Sequence, residues 1–173
     1  MAFVSSGVEY ALHCLLYISH PEGIKDANVR DMADLQGVPV DFLAKIFTKL
    51  KKSGLVHSTE GARGGFSLAR PAESISVKDV IDAIDGPKGL FECKEIRERC
   101  AVFNQQAPKW ATEGTCGIHK VMLEAEQAMR QVFAQYSLAT LAAASASKAP
   151  DDFNRQILQW FDARPSNQRF LSE

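Results

Sequence analysis

Residues 40–54 read Val40-Asp41-Phe42-Leu43-Ala44-Lys45-Ile46-Phe47-Thr48-Lys49-Leu50-Lys51-Lys52-Ser53-Gly54, and the period of the chain changes directly after them. Phe42, Leu43, Ile46, Phe47 and Leu50 recur at helical spacing, while Lys45, Lys49 and Lys52 fall on another face at i, i+4 and i+7. Asp41, or Val40 before it, opens this helix, and Ser53-Gly54 closes it. Residues 55–59 and 66–70 then alternate like strands around the turn Glu60-Gly61-Ala62-Arg63-Gly64-Gly65. A basic helix followed at once by a β-hairpin is the second half of a winged helix. A glycine-flanked arginine at the tip of such a wing can reach a groove or a phosphate.

The first half lies upstream. Residues 28–36 form a short helix with Val29, Met32, Ala33 and Leu35 inward, stopped at Gly37, and Val38-Pro39 makes the tight turn into the basic helix. Residues 5–19 form another helix, capped by Ser5 or Ser6. Glu9 lies in its first turn, and Val8, Leu12, Leu15, Leu16 and Ile18 make its apolar stripe. Ser76 caps a helix over 77–85, stopped by Asp85-Gly86-Pro87. Charge follows this division. Residues 40–70 carry a net +4, against −3 for residues 1–39, inside a chain whose formal charge is −1. A local basic block of this kind serves phosphate recognition even in a mildly acidic protein.

Downstream, periodicity disappears over 86–116, where three of the four cysteines lie. An irregular stretch that long inside a folded protein is usually functional or disordered. Cys93, Cys100 and Cys116 contain no CxxC pair, which speaks against a zinc ribbon or a thioredoxin-like centre. Soft thiolates suit an iron–sulfur cluster, zinc or copper(I); a thiol switch and inert cysteines are the other two readings. His119, three residues after Cys116, is either a further ligand or a solvent-facing polar residue. Cys14 sits in the apolar stretch of the first helix and reads as core. Residues 117–136 form a long amphipathic helix, with Ile118, Val121, Met122, Ala125, Met129, Val132, Phe133 and Tyr136 on its stripe, and the preferred role for it is a dimer seam. Ser137 caps a shorter helix, Ala142–Lys148 reads as a low-complexity linker, and Asp151–Phe161 forms a last helix before a loose tail.

The 173 residues, 46% hydrophobic and 24% charged, exclude a disordered chain and a disulfide miniprotein. No apolar run reaches membrane-spanning length, and the N-terminus lacks the pattern of a signal peptide, so a cytoplasmic location with reduced thiols is expected. No Ser-His-Asp order, paired-carboxylate motif or nucleotide loop suggests an enzyme.

Several segments, in this order, resemble the IscR/NsrR/RsrR group of bacterial winged-helix regulators, the Rrf2 family. They are Ser5-Ser6-Gly7-Val8-Glu9-Tyr10-Ala11-Leu12, residues 43–56, the wing Gly61-Ala62-Arg63-Gly64-Gly65-Phe66-Ser67-Leu68, and Val80-Ile81-Asp82-Ala83-Ile84-Asp85-Gly86-Pro87 with cysteines after it. Residues 7–14 and 91–97 are most similar to RsrR-like members. The resemblance implies a mainly α fold with a β-hairpin wing. Residues 1–86 would form the DNA-binding domain, 87–116 a cluster-bearing loop, 117–145 the dimerisation helix with a short helix after it, and 146–173 a linker, a last helix and a tail. It also implies a homodimer on a pseudo-palindromic double-stranded operator and an iron–sulfur cluster, two-iron in preference to four-iron. Val40, Asp41, Phe42, Lys45 and Lys49 would read DNA, with Arg63 in the wing and Ser6 on a phosphate. Cys93, Cys100 and Cys116 would hold the cluster, with Glu9 from the partner subunit or His119 as the fourth ligand. The histidine ligand of RsrR-like members falls near Gln36 here, and an amide is a poor iron ligand; Cys100 is the extra thiol that offsets it. Cluster state would then control operator affinity. The rivals are a cluster-free thiol or small-ligand sensor on the same fold, and a cluster-bearing electron carrier or enzyme.

Overall fold

A computed structural model describes residues 3–19, 24, 27–59, 64–150 and 152–164. The wing tip with Arg63 and the tail from residue 165 lie outside the described residues. The chain divides into two units, Met1–Gly86 with Phe133–Glu173, and Pro87–Val132.

The first unit is built on α1 (Ser6–Ser19), α2 (Val29–Gln36) and α3 (Val40–Lys52). The hairpin β1 (Val56–Ser58) and β2 (Phe66–Leu68) follows, then α4 (Val77–Asp85). Its C-terminal part adds α7 (Leu138–Ala146) and α8 (Phe153–Asp162). The second unit holds short 3₁₀ turns, α5 (Lys109–Thr112) and most of α6 (Gly117–Gln135).

Local chemistry explains the boundaries. Asn28 caps α2 by accepting from the Arg30 N–H, and Gly37 ends it with φ of 64°, a left-handed turn that carries the chain into α3. Pro39, which has no N–H to leave unpaired, precedes α3, and its carbonyl accepts from Phe42 and Leu43. Ser76 and Asp79 cap α4 reciprocally. Burial opposes ionisation of Asp79, but the Ser76 N–H and hydroxyl, with Arg70 and Lys78 nearby, hold its carboxyl below the usual range. The hairpin pairs antiparallel with Val56 opposite Leu68, and Ala27 adds one bridge to Phe66. A mainly helical protein with a two-stranded wing is therefore what folds.

The core gathers Val8, Ala11, Cys14 and Leu15 of α1, Met32 of α2, and Leu43, Ile46, Phe47 and Leu50 of α3. Val80 and Ile84 of α4, Leu138 of α7 and Phe161 of α8 complete it. Three expectations need correction. In α1 the inward face is Gly7, Val8, Ala11, Cys14 and Leu15, not the bulky stripe through Leu12, Leu16 and Ile18, because α3, α4 and α7 all pack close to it. A Cβ on Gly7 would sit 3.2 Å from Ile84 Cγ2. Phe42 is 41% exposed and not part of the buried set of α3. Ala142–Ala146 is helix, not linker: alanine has the highest helix propensity, and a docked first turn at Leu138 lets the run propagate.

Candidate nucleic-acid interface and cysteine segment

Burying Leu43, Ile46, Phe47 and Leu50 leaves the opposite face of α3 to solvent, where Val40, Asp41, Phe42, Lys45 and Lys49 are exposed. The Phe42 ring meets Tyr10 of α1 edge to face, with centroids 5.9 Å apart. Lys45 makes no ion pair with any described residue. Lys49 donates to the Ile84 carbonyl at 2.6 Å, which puts a cation on the C-terminal end of α4 where the helix dipole favours it. Lys51 donates to Ser58 Oγ at 2.7 Å and so ties α3 to the first strand of the wing.

Ser6 is exposed at the start of α1. Ser5 beside it does not cap the helix with its hydroxyl; it donates to Asp85 Oδ1 at 2.5 Å, and its N–H donates to Asp85 Oδ2 at 3.0 Å. The entry to α1 is thus fixed to the end of α4. Glu9 lies exposed one residue before Tyr10. Gln36, where the resemblance would put a histidine, lies near Tyr17, and burial pushes the Tyr17 phenol above its ordinary pKa.

Cys14 is fully buried, and burial pushes its thiol up to about 12, so it is a core residue and no nucleophile. The other three cysteines lie in the second unit as free thiols, Cys93 and Cys116 half-buried and Cys100 exposed. Cys116 caps α6, its carbonyl accepting from Lys120 N–H at 2.8 Å. His119, one turn on, stacks obliquely against Phe91 with centroids 6.0 Å apart.

Arg97 organises this segment. Its Nε and Nη2 donate to the two oxygens of Glu95 at 2.5 and 2.7 Å, and Nη2 also donates to the carbonyls of Thr112 and Gly114 at 3.2 and 3.1 Å. One guanidinium thereby joins the strand of chain after Cys93 to the one before Cys116. Glu95 takes φ of 44°, a left-handed conformation rare for a side chain that has a Cβ, and the bidentate pair holds it there. The same hydrogen bonds hold the Glu95 carboxyl below its usual pKa. The Arg97 guanidinium, held in its charged form first by Glu95, lies within electrostatic reach of both Cys116 and Cys93. A second clamp works from α6. Glu126 accepts from Leu90 N–H at 2.9 Å and from Arg130 Nε at 2.9 Å, and Arg130 donates to the Lys88 carbonyl.

Cys93 and Cys116 therefore share a cationic neighbour, and their chemistry suits a thiophilic metal centre. Among the described residues no three His, Cys, Asp or Glu side chains are drawn into one metal site. Neither Arg97 nor Glu95 is legible as a site residue in the sequence. The only signal for them is a charged pair two residues apart between cysteines, and the backbone carbonyls they reach lie 15 and 17 residues further on.

Comparison with known proteins follows the same outline. The model of the Rrf2 family, described as an iron-dependent transcriptional regulator, matches residues 4–144. The chain is similar to the protein rrf2 of Nitratidesulfovibrio vulgaris, 33% identical over 132 residues, covering 76% of this chain and 81% of that one. It is similar to the transcriptional regulator NsrR of Shouchella clausii, 28% identical over 138 residues, covering 80% of this chain and 87% of the relative. Among solved structures it is similar to CymR, the global cysteine regulator of B. subtilis. The TM-score is 0.63 at 21% identity, over 83% of this chain and 98% of that one, a likeness of fold.

Proposed function

The chain belongs to the Rrf2 family and is a DNA-binding transcriptional regulator, and from this we propose that it acts as a homodimer whose operator affinity is set by an iron–sulfur cluster on Cys93, Cys100 and Cys116. The observation that carries the reading is the segment around Arg97: one guanidinium ties the chain after Cys93 to the chain before Cys116, on a stretch in which no residue is fully buried. None of residues 87–132 is buried. Soft cysteine sulfurs are the ligands that suit iron.

Glu9 of the partner subunit, exposed on the first turn of α1, supplies the fourth ligand on this reading, and His119 is the alternative. When bound, the cluster supplies a charge and a redox state that change with oxidation, reduction or nitrosylation. The chain does the rest. Ser5 and Asp85 tie the start of α1 to the end of α4, and Lys49 ties α3 to the same end. A pull on Glu9 along α1 thus reaches the helix that reads DNA through two hydrogen-bonded contacts. The affinity change follows from the differential fit of the two conformations to the operator.

The dimer reading rests on α6. Ile118, Val121 and Val132, with Ala125, repeat at alternating spacings of three, four and seven residues, and the three large side chains are 65%, 60% and 50% exposed. A second copy of α6 covers such a seam. A dimer presents two α3 helices to successive major grooves about 34–36 Å apart, which calls for a pseudo-palindromic site. Lys45 and Arg63 would then meet phosphates or base edges, and Ser6 a phosphate.

The test is one anaerobic preparation. Visible absorbance, iron and acid-labile sulfide per chain report the cluster, and operator titrations with and without it report the coupling. Glu9→Ala is expected to change the spectrum or its lifetime more than His119→Ala. Lys45→Ala is expected to weaken operator binding while the dimer persists. A colourless protein after reconstitution, with operator binding that follows thiol oxidation, would install the second reading. That reading, a cluster-free thiol sensor on the same fold, is favoured by the exposed Cys100.

A further inference from the structure

The family match ends at residue 144, and α8 lies beyond it. Between α1, α7 and α8, within the first unit, lies a partly open cavity of about 110 Å³. Its walls are mainly apolar, from Leu16, Ala142, Ile157 and Leu158. His13, Tyr17 and Asn154 are its larger polar residues, and no Asp, Glu, Lys or Arg is among the described lining residues.

Three features define what fits. The volume approaches the ~150 Å³ of apolar cavities that accept one benzene ring. With no Asp, Glu, Lys or Arg among the described lining residues, an ionic ligand would lose hydration without a counter-charge from them. Burial pushes the Tyr17 phenol above its ordinary pKa, so this polar group of the wall adds no negative charge. The lid of the cavity is also tied to the DNA-binding fold. Arg164, just past α8, pairs with Asp31 of α2 at 3.2 Å and with Asp34, and its guanidinium lies 4.6 Å from the Trp160 ring centre. Phe161 of α8 is buried in the common core.

We propose that this cavity is a binding site for a small uncharged molecule about the size of one aromatic ring, and that α8 conveys its occupancy to the helix-turn-helix through Arg164. The site is independent of the cysteine segment. Its described lining residues fall at 13–24 and 142–158, outside the cysteine segment.

The probes are phenol and benzene, with benzoate as the charged control, on the full chain as purified. Phenol and benzene should bind saturably in calorimetry and raise the melting temperature by about 3–6 °C at ten times their dissociation constant. Benzoate should do neither. Ala142→Leu, which fills the cavity from α7, should lose about tenfold or more in phenol affinity. Leu158→Ala, which enlarges it, should gain about tenfold for the two-ring probe 2-naphthol, so a variant that folds poorly does not decide the matter alone. Phenol should also shift operator affinity by about threefold or more in the natural chain, and by less in Arg164→Ala. The site is refuted by an absence of saturable phenol and benzene binding, which is also the result expected if the chain's own residues 165–173 or a second copy fill the cavity. Equal binding of benzoate, or phenol and naphthol affinities unchanged in both cavity variants, refutes it too. Phenol binding with unchanged operator affinity overturns the coupling through α8.

Discussion

Replacing Arg164 by alanine should loosen α8 from the helix-turn-helix and lower the stability of the first unit. The guanidinium pairs with Asp31, whose side chain is 6% exposed, while its own is 29% exposed. Stripping one partner from a fully buried ion pair costs about 3–5 kcal/mol, because the remaining charge is left without compensation. Here one side of the pair is wet, and Arg164 is not the whole of Asp31's set of contacts, so about 2–3 kcal/mol is the reasonable share. Loss of the cation–π contact with Trp160 adds about 0.5–1 kcal/mol. A total of about 3 kcal/mol corresponds to a fall of about 6–12 °C in melting temperature for a chain of this length. The assay is thermal and urea unfolding of Arg164→Ala, Asp31→Asn and the double variant. Removing the buried charge along with its partner should make the double variant less destabilised than the sum of the two single ones by about 1–2 kcal/mol. Limited proteolysis should cut the Arg164→Ala chain between α7 and α8 sooner. A melting temperature within about 1 °C of the natural chain, with additive single variants, would refute the reasoning.

Cys14 should resist iodoacetamide at pH 8 in the folded protein while Cys93, Cys100 and Cys116 react. A thiol with a pKa of about 12 has a thiolate fraction of about one in ten thousand there, and mass mapping of the alkylated sites checks it. Gly7→Val should destabilise by about 1–3 kcal/mol in urea unfolding, since its Cβ alone would meet Ile84 Cγ2 at 3.2 Å and two more methyls have no room; unchanged stability would show that α1 and α4 can separate cheaply. Arg97→Gln should lower iron and sulfide bound per chain after anaerobic reconstitution with little change in helix content, and Arg97→Lys should not restore them, because an ammonium cannot span Glu95 and two carbonyls. Full iron occupancy in both variants would remove Arg97 from the account.

The winged helix was legible because its signals are local. The three-and-four spacing of Leu43, Ile46, Phe47 and Leu50, the terminator Gly37 and the cap at Ser76 each lie within a few residues of what they control. Phe42 was harder. It continues an apolar run yet faces outward, and only the placement of Tyr10 on another helix explains where its ring goes. The alanine run after Leu141 carries no periodicity, so composition alone could not separate helix from linker. The Arg164–Asp31 pair joins residues 133 apart in the chain, and no spacing rule reaches that far. For the cysteines, residue type announced a thiol-based site, but the Arg97 network that organises it depends on a left-handed Glu95 that nothing in the sequence marks.

The second unit poses an energetic problem that bears on its role. Ordering a residue costs about 1.5 kcal/mol in conformational entropy, and burial of apolar surface normally offsets it. Residues 87–132 bury no side chain, and Leu90, Phe91, Ile96, Val102 and Trp110 stand exposed along with the α6 seam. The Glu95–Arg97 and Glu126–Arg130 pairs are hydrogen-bonded and well oriented, yet ion pairs in water contribute little and weaken with salt. On the proposed reading such a segment gains its order from what binds it. Ligands that are scattered when alone and gathered by a metal centre turn binding energy into folding energy, and a second α6 does the same for the exposed seam. On the proposed reading the weak core of residues 87–132 is therefore functional. A unit with its own dense core would hold one conformation whether or not its cysteines were occupied, and occupancy would have little left to report to α1 and α3.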